Sequence, residues 1–178
     1  MRPEQLAHYC RGPAFRSMLD LDAGGRAELL ASGSVHLPAR YADPTYVATR
    51  HRVERALREG FVAAGGRPVR ERPHYGLLGR SERTEARAAP GLAVHLLDLA
   101  DLPGDQVSFT WGDSFAFDPA FRAATNADHP LVGQVFPLRR LDEVLAGRTH
   151  GDRPAWMAIE LQLWMDPDPT WVTTVSLG

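Results

Sequence analysis

The chain has 178 residues, of which 44% are hydrophobic and 24% charged, and its formal net charge is −2. That length suits one domain spanning residues 1–178, and the apolar share supports a packed core without disulfide or metal staples, which excludes dominant disorder. A charge this close to neutral leaves no global basic field to hold DNA or RNA. The 20 basic residues are all arginine. Every cationic site is therefore a planar, permanently charged fork suited to carboxylate or phosphate, and lysine Schiff-base chemistry is ruled out. Cys10 is the single cysteine, so no internal disulfide forms, in keeping with a reducing, cytoplasmic setting. Met1 to Gln5 leads into no apolar h-region and no apolar run reaches membrane-spanning length. Neither a signal peptide nor a membrane partner is expected.

In chain order, Leu6 to Cys10 is predicted to be a short strand, stopped by Arg11-Gly12-Pro13. Ala14 to Leu21 and Arg26 to Ser32 have helical character, split by Gly24-Gly25, and Val35 to Pro44 reads as loop. The clearest helix is Tyr46 to Phe61. Val47, Val53, Ala56, Leu57 and Phe61 fall near one face, and Arg50, Arg52, Glu54, Arg58 and Glu59 cover the rest. Further strands are expected at His74 to Gly79, Leu92 to Leu99, Gln106 to Trp111, Leu131 to Leu138, Trp156 to Met165 and Trp171 to Leu177. Ser81 to Ala89 reads as a charged, exposed stretch, and Leu141 to Ala146 as a short helix. Asp166-Pro167-Asp168-Pro169 has the chemistry of a tight hairpin corner. Helices first and strands later argue for α+β: a helical N-terminal part packed on a mostly antiparallel sheet.

No Walker loop, GxGxxG, HExxH or GxSxG motif occurs, and the seven histidines lack ligand spacing, so no metal is expected. Four stretches carry candidate chemistry. Arg11, at a strand end before Gly12, can aim a guanidinium at phosphate or carboxylate, or be an ordinary surface arginine beside a turn. In Phe109-Thr110-Trp111-Gly112-Asp113-Ser114, the last two residues suit a turn or cap. On a functional reading, Thr110 and Ser114 hold a ligand hydroxyl while Gly112 admits the ligand to the backbone. In Ile159 to Leu163, strand alternation puts Glu160 and Gln162 on one face and the apolar residues on the other, and Trp164 is in phase with the polar pair. That face is either a solvated stripe or a grip for a sugar diol or a developing positive charge. His74, in Arg72-Pro73-His74-Tyr75-Gly76, is a structural histidine or an acid–base group. The four tryptophans all lie in the strand-rich half and read as core.

Taken together, Gly65-Gly66, Arg72 to Gly76, Phe109 to Ser114 and Ile159 to Leu163 resemble the bacterial and fungal family known as domain of unknown function 3626. The resemblance covers most of His8 to Met165, and its most specific part is the FTxGDS-type stretch. It departs at His8-Tyr9-Cys10-Arg11, where the family has His-Pro-Asp-Arg, and at Trp164-Met165, where the family has His-Gly. The chain also resembles, more loosely, ADP-ribosyltransferases of the Arg–Ser–Glu type. The order Arg11-Gly12, then Thr110 or Ser114, then Glu160-Leu161-Gln162 follows theirs, although they place the catalytic Glu where Gln162 stands.

That second resemblance implies an ADP-ribosyltransferase-like fold and a transferase using NAD as co-substrate. Glu160 would be catalytic beside Gln162, with Ser114 and Thr110 at the ribose, Gly112 beside the ligand, Arg11 on phosphate, and His74 and Tyr75 lining the nicotinamide pocket. The partner would be a small nucleotide-type ligand, with a protein or tRNA-borne acceptor. Two other readings stay open. One is acyl or aminoacyl transfer with Ser114 as nucleophile and His74 or His95 as base. The other is a non-catalytic binding module.

Overall fold

Residues 4–31, 41–88, 90–125, 129–146 and 158–177 are described by a computed structural model. Seven strands are present: β1 (Gln5–Cys10), β2 (His74–Leu78), β3 (Ala93–Asp98), β4 (Val107–Thr110), β5 (Val135–Pro137), β6 (Glu160–Leu163) and β7 (Thr173–Ser176). They form one sheet in the order β5-β4-β6-β2-β1-β3-β7, every pairing antiparallel. The five described α-helices are α1 (Ala23–Ala31), α2 (Pro44–Ala63), α3 (Glu82–Glu85), α4 (Pro119–Ala124) and α5 (Leu141–Leu145). This is the mixed helix-and-sheet arrangement expected, with a long early helix packed on an antiparallel sheet.

Strand alternation builds two different faces. One carries Leu6, Leu97, Val107, Phe109, Leu161 and Leu163, all fully buried, into the larger core. The other carries Tyr75, Gln162 and Trp164, and α2 lies over it through Val53, Leu57 and Phe61. Helix α2 starts sharply because the Asp43 side chain accepts from the Thr45 N–H and Pro44 occupies the first turn. It stops where Gly65, at φ +86°, lets the Gly65 and Gly66 amides reach back to Val62 and Phe61 carbonyls.

Several expectations are corrected. Asp166 to Pro169 makes no hairpin: β6 pairs with β2 and β4, whereas β7 crosses to the far edge and pairs with β3. Ala14 to Leu21 supplies only one 3-10 turn, Met18–Asp20. The strand within Leu131 to Leu138 shrinks to Val135–Pro137, and Ser81 to Ala89 contains α3. Helices do not simply precede strands, because β1 opens the chain and ends up in the middle of the sheet. Arg50 and Glu54, expected on the solvent side of α2, are 7% and 3% exposed. Trp111 and Trp164 are core, and Trp156 lies outside the described residues.

The sheet also parts along its centre. β1 pairs with β3 from Gln5 to Cys10, but with β2 only at Leu6↔Leu78 and Ala7↔Leu77. Beyond Ala7 the bridge is a side chain: His8 Nδ1 donates to the Tyr75 carbonyl at 2.7 Å. The Phe15 N–H donates to the other ring nitrogen at 3.3 Å, so the ring must be neutral, and burial lowers its pKa to about 4.

Gly76 sits at this junction. A Cβ there would lie against Leu6 Cδ2 and 2.7 Å from Leu6 Cγ, and Leu6 is itself fully buried. Gly76→Ala is therefore expected to destabilise the fold by about 1–3 kcal/mol, measured by urea denaturation.

Candidate functional site

The polar face of β6 becomes a buried hydrogen-bond chain. The Trp164 indole N–H can only donate, and it donates to Ser108 Oγ at 2.8 Å. Ser108 then donates its own hydrogen to Gln162 Oε1 at 2.9 Å. With its oxygen fixed that way, Gln162 turns its amide nitrogen to Thr110 Oγ1 and to Glu160 Oε1, each at 3.3 Å. Thr110 donates onward to the Gly112 carbonyl at 2.8 Å, and Gly112 takes φ +96°. The polar stripe read from the sequence is therefore internal, and its outlet is the Glu160 carboxylate.

Arg50 approaches Glu160 from α2. Its Nε donates to Glu54 Oε1 at 3.3 Å and its Nη1 to Ser114 Oγ at 3.1 Å. Its guanidinium carbon lies 3.8 Å from the Tyr75 ring centre and 5.1 Å from that of Phe115. Tyr75 OH donates to the same Glu54 oxygen at 3.2 Å. Ser114, fully buried, receives the Arg50 hydrogen and hydrogen-bonds to Glu160. It opens a 3-10 turn (Ser114–Phe117) capped by Asp113, whose side chain accepts from the Phe115 N–H.

The electrostatics are those of a desolvated acid. Burial first, and then the Asp113 carboxylate, push Glu160 up to about 7, against Arg50 and the hydrogen bonds from Ser114 and Gln162. Burial also raises Glu54, against Arg50, Tyr75 and Arg72. Arg50 stays charged, because the surrounding tyrosines and carboxylates outweigh its own desolvation.

These groups open onto a cavity of about 410 Å³, within the size range of small-molecule sites. Glu160, Asp113 and Arg50 belong to its lining, Tyr41, Tyr46 and Tyr75 supply aromatic wall, and Arg16 is exposed beside them. Of the expected site residues, Glu160, His74 and Tyr75 line this cavity. Gln162, Thr110 and Ser114 stand behind Glu160 as its buried support. Arg11 is not among the lining residues; Arg16, five positions further on, is. His74 is buried and bonded to Asp166 at 2.9 Å, and His95 to Thr174 at 2.8 Å, so the partners of Ser114 are Arg50 and Glu160 rather than either histidine. Among the described residues, no group of three or more His, Cys, Asp or Glu side chains is placed to hold a metal ion.

Sequence reasoning missed Arg50, Glu54 and the two tyrosines Tyr41 and Tyr46. The signal was available for the ion pair: positions 50, 53, 54, 57 and 61 share one stripe of the helix, so two charges interrupt the face that carries Val53, Leu57 and Phe61.

No family model, curated protein or solved structure matches this chain.

Two consequences are measurable. Glu160 has a folded pKa raised above its ordinary 4.5, so the stability it confers as a neutral acid is complete below 4.5 and is lost as pH rises through about 7. Glu160→Gln, which cannot ionise, is expected to melt above wild type at pH 8, by on the order of 2–3 kcal/mol, and close to it at pH 5. Arg50→Met strands Glu54 without its buried partner and is expected to cost about 3–5 kcal/mol in chemical denaturation.

Proposed function

We propose that this cavity is the catalytic site of a transferase acting at the ribosyl carbon of a small nucleotide-type ligand, most sharply an NAD-dependent ADP-ribosyl transfer or NAD glycohydrolysis. The observation that carries the reading is the charge layout: a half-buried carboxylate pair, Glu160 and Asp113, aromatic walls, and an exposed guanidinium, Arg16, among the lining residues. A ligand with a cationic aromatic end and an anionic pyrophosphate matches that layout from the inside outward. The phosphate role assigned to Arg11 on resemblance passes to Arg16.

The chemistry follows from the acid. The bond between ribose C1 and the nicotinamide nitrogen breaks, and its electron pair leaves with nicotinamide. C1 gains positive charge, which an ionised Glu160 stabilises as it develops. Water, or a hydroxyl, amine or thiol of an acceptor, then bonds to C1, and its proton goes to Glu160, whose pKa near neutrality suits it to accept one. Gln162 and Ser114 hold the carboxylate in place while this happens. Acyl transfer through Ser114 is disfavoured, since that hydroxyl is fully buried and engaged by Arg50 and Glu160.

Millimolar NAD is expected to raise the melting temperature, and nicotinamide release, followed chromatographically, is expected to climb as pH passes through about 7. Glu160→Gln should lower that release by roughly 100-fold or more while keeping the NAD-induced thermal shift. Absence of both the shift and the release in wild type would refute the proposal.

A further inference from the structure

A second cavity, of about 700 Å³, runs along α2 and meets the first at Glu54, the one residue that lines both. His51, Arg52, Arg55 and Arg58 follow one another along the helical wall, and Arg72, from the segment that leads into β2, faces them. Like charges three residues apart on a helix disfavour it, so three such arginines in one wall are a cost to the free protein.

The carboxylates nearby do not satisfy these guanidiniums. Glu54 is committed to Arg50 and Tyr75. Glu59 and Glu71 are exposed, and neither forms an ion pair among the described residues. Arg55 and Arg58 have no ion-pair or hydrogen-bond partner among the described residues. Arg72 lies 3.7 Å from Asp20 and 3.8 Å from Glu54, too far for a hydrogen bond to either. Arg58 and Arg72 are nonetheless half-buried. Polar groups withdrawn from water are normally hydrogen-bonded, so charged donors left in this state call for an anion. His51 independently reports the sign of the field. Its pKa is lowered, first by burial and then by Arg72, Arg26 and Arg55, and the opposing influence of Glu71 is the smallest of these.

We propose that this cavity is a second binding site, for a small molecule bearing a diphosphate. A guanidinium fork takes phosphate oxygens two at a time, and several forks in one wall suit successive phosphates. The volume is that of a small-molecule site. A chain of net charge −2 extends no wider basic field for a nucleic acid. The site does not depend on the reaction proposed at Glu160.

Inorganic pyrophosphate is the probe, titrated calorimetrically at constant ionic strength. It is expected to bind saturably and to raise the pKa of the His51 ring, followed by NMR and assigned by loss of its signal in His51→Gln. Arg55→Gln and Arg58→Gln should each weaken binding by roughly tenfold or more. Arg16→Gln, in the first cavity, should leave it unchanged. Arg55 is exposed, so its variant decides alone should Arg58→Gln fail to fold. No saturable binding by wild type, or an unchanged affinity in Arg55→Gln, overturns the proposal. Loss of binding in Arg16→Gln overturns it too, by placing pyrophosphate in the first cavity. So does tighter binding of a short single-stranded oligonucleotide than of pyrophosphate, which makes the groove a nucleic-acid surface.

Discussion

A single buried cation organises this molecule. Removing a guanidinium from water is tolerable only where opposite charge, hydrogen bonds and aromatic faces replace the lost hydration. Arg50 finds them on three separate parts of the chain: Glu54 one turn along its own helix, Tyr75 on β2, and Ser114 in the turn after β4. Glu54 travels with the helix, but the Tyr75 and Ser114 contacts are both lost if the helix slides or rotates on the sheet. The ion thus fixes the register of α2, and through Ser114 it reaches the Glu160 carboxylate. Fold and candidate chemistry are set by the same charge.

What could be read in the sequence was whatever depends on local period. Alternation in Ile159 to Leu163 correctly separated Glu160 and Gln162 from the apolar face, and put Trp164 in phase with them. The capping of Ser114–Phe117 by Asp113 also followed from residue chemistry. What failed depends on partners distant in sequence. Pro and Asp between β6 and β7 say that the chain turns, and cannot say that β7 will pair with β3. Arg50 and Glu54 were placed outside by polarity alone, although their phase on the helix put them in. Arg11 was favoured for its place at a strand end, yet the exposed guanidinium of the lining is Arg16, beyond the turn at Gly12, where φ is +82°.

The parting of β1 from β2 leaves room for a cavity against the sheet. Continuous pairing would bring those strands to ordinary ladder spacing, and side chains would fill what remained. Instead the backbone contact ends at Ala7 and the His8 ring spans the gap to Tyr75. Phe15 then stacks on that ring. A neutral imidazole, held at both nitrogens, works here as a spacer between strands.

The chain of hydrogen bonds that starts at Trp164 has a direction, and it is fixed at both ends. The indole can only donate, and the Gly112 and Glu160 carbonyls can only accept, so Ser108, Thr110 and Gln162 are each left one orientation. A ring without the N–H would remove one of these locks and leave the other, with the Gln162 nitrogen still turned to the Glu160 carboxylate. The donor that favours the bare carboxylate is thus secured twice over, once by a side chain that is fully enclosed and separated from the acid by two other residues.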